Sequence, residues 1–294
     1  MEGRMPFEGH ETWYRVEGDL HADGPTPLVT LHGGPGMTHD YLLSLTDLAH
    51  GRRPVVFYDQ LGSGNSTHLP QRGADFWTVE LFARQLAALL EHLGIAGRYH
   101  LLGQSWGGFL AQEHAFTQPQ GLRSLVLSNT AASFLDVVTE ANRLRADLPP
   151  EVEATLRRHE VDGTTGDPEY ARACQVFYKR HLCRVDPWPK EVVRSFELLE
   201  QDPTVYHVMN GPSEFHVTGS ICGWQSKDRL NLIGVPTLVI SGRHDEATPA
   251  LQQALVDTIP QTEQVILEHS SHMPFWEERE AYMAAVDDWL TRHD

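Results

Sequence analysis

The sequence predicts an α/β fold in which a mostly parallel sheet carries helices on both faces. Two observations predict it: short apolar runs of strand length alternate with amphipathic helical patterns, and strand patterns resume after one long helical interruption. The length of 294 residues suits one such domain with an insertion, and it is enough to bury a substantial core.

Each element follows from its local pattern. The strands are predicted from short β-branched or apolar runs at residues 12–17, 27–31, 54–58, 99–102, 122–127, 236–241 and 264–267. Helices are predicted at residues 78–93, 109–116, 249–258 and 277–292, where apolar residues recur at helical spacing. Residues 132–227 contain only helical patterns separated by Pro- and Gly-rich joints, which indicates a helical cap inserted between two core segments, 1–131 and 228–294.

Composition excludes several classes of protein. The 23 Lys and Arg residues against 40 Asp and Glu residues give a net charge of −17, which repels nucleic-acid backbones. The three cysteines form no CxxC pair and fit a reducing compartment. Without a signal-peptide pattern or a long apolar run, we expect a cytoplasmic protein that neither crosses a membrane nor binds nucleic acid. The oligomeric state cannot be inferred from the sequence.

One short motif indicates the chemistry. Residues 103–107 read GQSWG and fit G-x-S-x-G, with a strand pattern before them and a helical pattern after them. This context predicts a sharp turn that presents the hydroxyl of Ser105 at the carboxyl edge of the sheet, above a helix N-terminus that favours negative charge. The alternative is a tight turn in which Ser105 merely caps the helix.

A serine nucleophile needs a base and an orienting carboxylate, and in this architecture they follow the serine in the order acid, then histidine. Asp245 and His272 each come just after a strand pattern, which predicts the catalytic set Ser105, Asp245 and His272. His244 and His269 are nearby competitors for the base, and Glu246 could replace Asp245. No compact set of metal ligands occurs, so we expect neither a metal nor another cofactor.

A Gly- and Pro-rich loop, HGGPG at residues 32–36, leaves another strand at the same edge. In an α/β-hydrolase, a loop at this place supplies one N–H of the oxyanion hole, and the residue after the nucleophile, here Trp106, supplies the other. His32 is expected to support the loop by hydrogen bonding. The loop at residues 59–66 contains G-x-G without the context of a dinucleotide site.

With these motifs in place, the chain resembles the proline iminopeptidase (prolyl aminopeptidase) family of α/β hydrolases, which includes the tricorn-interacting aminopeptidases and related L-amino-acid amidases. The matching segments are LHGGPG (31–36), YDQLGSGNS (58–66), GQSWGG (103–108), MNGPSEF (209–215), SGRHDEATP (241–249) and SSHMPFWEE (270–278). The family often has glycine where this chain has Gln104, a variation that we take as minor.

The resemblance implies an eight-stranded, mostly parallel α/β-hydrolase sheet with a helical cap, and removal of an N-terminal residue by acyl transfer. It assigns the oxyanion hole to the N–H groups of Gly34 and Trp106, and recognition of the free α-amino group to Glu214 and Glu246. A buried ammonium requires such carboxylates. The substrate would be a short peptide or an amino-acid amide with a free N-terminus.

Two other functions remain open at this stage. A carboxylesterase or lactonase would use the same nucleophile without recognising an amine. A non-catalytic binding protein on a hydrolase fold is a third reading, because fold does not fix function. The sequence does not indicate whether proline or another apolar residue is preferred.

Overall fold

Eight strands form a single sheet, in which two antiparallel strands at one edge precede six parallel strands. The structure is a computed structural model that describes residues 1–20 and 24–294, without the side chains of residues 50 and 51. The strands are β1 (Glu2–Phe7), β2 (His10–Glu17), β3 (Leu28–Leu31), β4 (Val55–Tyr58), β5 (Tyr99–Gln104), β6 (Leu122–Ser128), β7 (Thr237–Gly242) and β8 (Thr262–Leu267). Their order in the sheet is β1-β2-β4-β3-β5-β6-β7-β8.

The α-helices cover both faces of this sheet and also form a separate group. They are α1 (Val79–His92), α2 (Trp106–Phe116), α3 (Phe134–Arg145), α4 (Pro150–Asp162), α5 (Pro168–His181), α6 (Lys190–Gln201), α7 (Thr204–Met209), α8 (Pro249–Thr258), α9 (Pro274–Glu277) and α10 (Arg279–Arg292). Helices α3–α7 lie between β6 and β7 along the chain, and we call them the inserted helices. The boundaries of a cap domain at residues 132 and 227 remain a prediction.

Successive side chains along the central strands point to opposite faces of the sheet, and a hydrophobic core lies on each face. Val29 and Leu101 face a cluster that includes residues of α1, α2 and α8. Their chain neighbours Leu28 and Leu102 face the opposite cluster, which includes residues of α10 and of the 3-10 helix His39–Gly51. Burial on both faces explains why the central strands read as continuous apolar runs rather than as alternating ones.

The α/β-hydrolase fold predicted from the sequence is confirmed, with local differences. Strand β1 was not predicted, because its sequence EGRMPF contains a glycine and a proline, which are tolerated because the strand lies at an edge. The 3-10 helix His39–Gly51 and helix α7 were not predicted either. The last helix was predicted as continuous from residue 277, but the chain leaves helical geometry at Glu278 and so divides it into α9 and α10.

The strand topology places the polar loops together at the carboxyl edge of the sheet. Strands β3, β4, β5, β7 and β8 run in the same direction, and the loops that follow them carry the sequence motifs described above. Ligands bind at this carboxyl edge in open α/β sheets. In the part of the chain that the structure describes, no helix combines the length and apolarity needed to cross a membrane.

Candidate active site

Ser105 occupies a strained turn between β5 and α2. Its φ of 56° and ψ of −123° lie in a region that non-glycine residues rarely adopt. Although Ser105 is in the N-cap position of α2, its side chain makes no capping hydrogen bond. The reading of Ser105 as a simple helix cap therefore has no support, and its hydroxyl lies at a cavity instead.

The glycines of the motif allow this turn. A Cβ atom added to Gly107 would lie 2.1 Å from the carbonyl oxygen of Leu31, and one added to Gly103 would lie 2.2 Å from the carbonyl oxygen of Gly107. Helix α2 therefore begins in direct contact with the neighbouring strand, which fixes the position of Ser105 above the first turn of the helix.

His272 and Asp245 form a buried pair. The Nδ1 atom of His272 lies 2.6 Å from Oδ1 of Asp245. Asp245 also accepts hydrogen bonds from the side-chain amide of Asn129, at 2.7 Å, and from the backbone N–H of Ala247, at 3.0 Å. These bonds fix the carboxylate, which in turn orients the imidazole and leaves Nε2 free for another partner.

The competing residues lie elsewhere. His269 is exposed, and its backbone N–H donates to Glu278. The carbonyl of His244 accepts a hydrogen bond from the ring of His181. Neither histidine is part of the cavity lining that includes Ser105 and His272.

Two motif loops brace each other beside the serine. The Nε2 atom of His32 accepts from the backbone N–H of Gln60, and its Nδ1–H donates to the carbonyl of Gly33. The Gln60 side chain accepts from the indole N–H of Trp106. Burial lowers the pKa of His32 to about 4, so His32 is a neutral support for the loop. Gly34, in this loop, lines the cavity, and Trp106 is the first residue of α2.

Gln104 has a larger part in the site than the sequence suggested. Its side-chain oxygen accepts from the Tyr41 hydroxyl, at 2.5 Å, and its amide donates to the carbonyl of His272, at 3.2 Å. The Tyr41 oxygen in turn accepts from the backbone N–H of Gly33. One side chain therefore connects the glycine-rich loop to the loop that carries the histidine.

Two carboxyl groups, one buried and one half-buried, face the histidine. Glu246 Oε1 lies 3.8 Å from His272 Nε2, whereas Glu246 Oε2 has no hydrogen-bond partner among the described residues. Glu214 comes from the segment that follows α7, and it accepts a hydrogen bond of 2.6 Å from the hydroxyl of Tyr206. A buried carboxyl group without a partner is costly, and it indicates that a ligand completes the site.

The protonation of these groups is coupled. Burial raises the pKa of Glu246 well above its ordinary value, and the neighbouring Glu214 raises it further. Burial also raises the pKa of Glu214, against the Tyr206 hydrogen bond and the positive charge of His272. Burial alone would lower the pKa of His272, but Asp245, Glu246 and Glu214 outweigh it and raise that pKa to about 9. The site is strongly acidic and holds protons tightly.

One cavity of about 200 Å³ brings these groups together. Its walls include Gly34, Ser105, Glu214, Glu246 and His272, whereas Asp245 and Trp106 lie behind them. Aromatic side chains of Tyr41, Tyr170, Tyr178, Phe196 and Tyr206 form much of the remaining lining. The arrangement offers a hydroxyl, an imidazole and an acidic end within an otherwise largely aromatic space.

Comparison with known proteins identifies the family. The family model described as the alpha/beta hydrolase fold matches residues 26–279. A proline iminopeptidase of Lactobacillus helveticus is 38% identical over 299 aligned residues, which cover 100% of this chain and 99% of that protein. The chain belongs to the proline iminopeptidase family of α/β hydrolases.

Solved structures of similar proteins agree over the whole chain. VinJ is 51% identical with a TM-score of 0.98, covering 100% of this chain and 99% of that one. A proline iminopeptidase of Mycobacterium smegmatis is 46% identical with a TM-score of 0.92, covering 100% of this chain and 98% of that one. As a member of the proline iminopeptidase family, the protein is an enzyme, a serine hydrolase of the aminopeptidase type.

Among the residues that the structure describes, one group of side chains outside the cavity has the spacing of metal ligands. Donor atoms of His159, Asp167 and Glu169 lie within 4.8 Å of one another. However, Arg158 pairs with Glu169 at 2.8 Å, and Asp167 accepts from the backbone N–H of Glu169. A cation would have to displace these partners, so the group is explained by the junction of α4 and α5.

Proposed function

We propose that the protein releases N-terminal amino acids, proline or another apolar residue, from short peptides or amino-acid amides. Ser105 is the nucleophile, His272 the general base and acid, and Asp245 the residue that orients His272. The N–H groups of Gly34 and Trp106 stabilise the oxyanion, and Glu214 with Glu246 binds the α-ammonium group of the substrate.

The observation that carries the proposal is the acidic end of the cavity. Glu246 is buried and Glu214 is half-buried, both line the same cavity as Ser105, and one oxygen of Glu246 has no hydrogen-bond partner among the residues that the structure describes. An esterase that acts on neutral acyl groups gains nothing from such a pair, whereas a substrate ammonium supplies the charge and the N–H donors that the pair lacks.

The reaction follows from this placement. With the ammonium held by the carboxylates, the carbonyl of the first residue lies over Ser105. The Ser105 oxygen forms a bond to that carbonyl carbon while its proton moves to His272 Nε2, and the two N–H groups donate hydrogen bonds to the oxygen on which negative charge develops. His272 then donates the proton to the leaving nitrogen, the C–N bond breaks, and water hydrolyses the acyl-enzyme by the same steps.

The nature of the released residue is supported by two observations. The relatives named above include proline iminopeptidases. The cavity wall near the acidic end is rich in aromatic side chains, among them Tyr178 and Tyr206, which favour an apolar side chain of limited size. A carboxylesterase or lactonase remains the alternative, and it predicts equal turnover of substrates with and without a free amine.

The variant Glu214→Gln tests amine recognition. We expect kcat/KM for L-prolyl p-nitroanilide to fall about 100-fold, because a buried charge pair that loses one partner costs a few kcal/mol. The matched control is Glu197→Gln, which removes the same charge from an exposed position on α6. A Glu214→Gln enzyme that matches the control would contradict the proposed role, provided that circular dichroism shows both variants folded.

A further inference from the structure

Glu246, at the acidic end of the cavity, lies close to the imidazole of His272. Glu246 Oε1 lies 3.8 Å from Nε2 of His272, which is the nitrogen that must accept the proton of Ser105. Asp245 holds the opposite nitrogen, Nδ1, at 2.6 Å. His272, Asp245 and Glu246 are each at most 4% exposed, so water does little to screen the charges among them.

We propose that the negative charge of the Glu246–Glu214 pair keeps a proton on Nε2 of His272 in the free enzyme, and that the substrate's ammonium frees this nitrogen by neutralising that charge. This inference rests on the proposed function, because it assigns a second role to the same amine site. The ammonium is then both the recognised group and the activator of the base.

The charge balance of the cluster supports this coupling. Because burial and mutual repulsion raise the pKa values of Glu214 and Glu246, the two carboxyl groups share one proton and carry a single negative charge. Together with Asp245 the cluster then has two negative charges against one on the imidazolium, so excess negative charge remains. The charged neighbours of His272 come from the loop after β7, which carries Asp245 and Glu246, and from the segment after α7, which carries Glu214. The phenols of Tyr178 and Tyr206, which face the carboxyl groups, are neutral because burial raises their pKa values.

The consequence is selectivity in the chemical step. With no ammonium bound, His272 Nε2 carries a proton and cannot accept another, so Ser105 stays inactive toward neutral acyl compounds that enter the cavity. When an ammonium binds, the excess negative charge is cancelled and the pKa of His272 falls, so a larger fraction of His272 releases the Nε2 proton to solvent and can act as the base. The site therefore discriminates against substrates without a free amine through kcat as well as through binding.

Labelling of Ser105 by diisopropyl fluorophosphate measures the basicity of His272 without an amine substrate. In this reaction the Ser105 oxygen bonds to phosphorus, the P–F bond breaks, and the serine proton passes to His272. The rate is measured against pH with and without saturating pyrrolidine, which is protonated throughout the range, and with tetrahydrofuran as the uncharged ring of similar size. The readout is the midpoint of the pH profile, since simple steric blocking changes only the limiting rate.

We expect a midpoint near 9 in the free enzyme. Pyrrolidine should lower this midpoint by about one pH unit or more. The labelling rate at neutral pH, expressed as a fraction of the limiting rate at high pH, should then rise about tenfold. Tetrahydrofuran should leave the midpoint unchanged. In Glu246→Gln the midpoint should already be lowered and the effect of pyrrolidine reduced, whereas Glu268→Gln, an exposed carboxylate after β8, should behave as the wild type.

The outcomes separate this inference from the proposed function. If pyrrolidine competes with hydrolysis of L-prolyl p-nitroanilide but leaves the midpoint where it was, the coupling is wrong and amine recognition stands. If pyrrolidine neither competes nor shifts the midpoint, amine recognition fails and the inference fails with it. The wild-type measurement decides this even if Glu246→Gln does not fold.

Discussion

Asp245 is held by a chain of hydrogen bonds in addition to its contact with His272. Its Oδ2 atom accepts from Asn129, and the side-chain oxygen of Asn129 accepts from the hydroxyl of Ser128, at 2.7 Å. Ser128 in turn accepts from the Tyr282 hydroxyl, at 2.9 Å. This buried chain of hydrogen bonds ties the acid to β6 and α10, and a fully satisfied polar network of this kind fixes one geometry.

Asp245→Asn tests the acid at the residue scale. We expect kcat to fall about 10³- to 10⁴-fold, because an amide neither stabilises the imidazolium nor holds the required tautomer. Loss of the negative charge also lowers the pKa of His272 from its raised value, so the acid limb of the residual kcat/KM profile should move to lower pH. Steady-state kinetics across pH measure both effects, with the exposed Asp228→Asn as control.

A variant that keeps near wild-type kcat would assign the carboxylate role to another residue. A fall in kcat without movement of the acid limb would mean that Asp245 acts only through packing.

The sequence predicted that Asp245 and His272, which each follow a strand, lie close together, and the structure places their side chains 2.6 Å apart. Residues that contact the site from other parts of the fold could not be predicted in this way. Asn129 follows β6 and carries no motif of its own, so nothing in the sequence connected it to Asp245. Gln104 lies inside the motif, but its bonds to Tyr41 and to the His272 backbone depend on how three loops meet.

Among the junctions between elements, that of β5 and α2 is tightly constrained by backbone contact. Gly107 lies in the first turn of α2, against the backbone of Leu31 in β3. Backbone atoms cannot move aside as a flexible side chain can, so the contact leaves no room for a methyl group. The close approach places the helix N-terminus beneath Ser105.

Gly107→Ala should therefore lower the free energy of unfolding by about 1–3 kcal/mol, the usual cost of overpacking a rigid site, and more where the backbone cannot relax. Chemical denaturation measures this change. The matched control is Gly97→Ala, where an added Cβ meets nothing within 4 Å. Equal stability of the two variants would contradict the contact described here.

Helices and strands could be predicted from the sequence where a single local pattern marks them. Helix α8 was predicted at residues 249–258 and is found at Pro249–Thr258, because a proline at its start and apolar spacing mark it clearly. Strand β8 was predicted two residues short, since its outer half is only partly buried and lacks an apolar run. Strand β1 was missed because antiparallel pairing with β2, rather than local composition, makes it a strand.

At the scale of the whole molecule, distant parts of the chain meet at Asp294. Its carboxylate binds the guanidinium of Arg53 at 2.9 and 3.0 Å, and it accepts from the backbone N–H of Thr26. Arg53 is only 3% exposed, so its charge depends on this partner. Partial burial alone would raise the pKa of Asp294, but hydrogen bonds from Arg53 and Thr26 outweigh it and hold that pKa well below its ordinary value.

We expect Asp294→Asn to lower the free energy of unfolding by about 1–3 kcal/mol at neutral pH, less than for a fully buried pair because the carboxylate is partly exposed. A depressed pKa stabilises the fold above the ordinary pKa of aspartate, and the stabilisation is lost as the pH falls below it. The difference between variant and wild type should therefore shrink below about pH 4. Thermal unfolding across pH measures it.

The control is Asp288→Asn, which removes an exposed partner of Arg292 and should change little. A stability difference between wild type and Asp294→Asn that stayed constant down to low pH would contradict the linkage to Arg53.

The inserted helices complete the site from outside the sheet. The ring of His181, at the end of α5, hydrogen-bonds the carbonyl of His244, and the His181 carbonyl accepts from the N–H of Glu246. Ser195 of α6 hydrogen-bonds Thr38, just before the 3-10 helix. These contacts hold the inserted helices against the loops that follow β7 and β3, and Glu214 lines the same cavity as Ser105. The sequence suggested this meeting only through family resemblance, since no local pattern specifies how the inserted helices pack on the sheet.

We propose that Ser105 and the acidic pair of Glu214 and Glu246 act on one substrate that carries a free amine. The most direct measurement compares kcat/KM for L-prolyl p-nitroanilide and its N-acetyl derivative, with Ser105→Ala as the control for the nucleophile. We expect the free-amine compound to be favoured by at least about 100-fold, and Ser105→Ala to lose at least about 1,000-fold in kcat. Equal hydrolysis of the two compounds, or full activity in Ser105→Ala, would contradict the account.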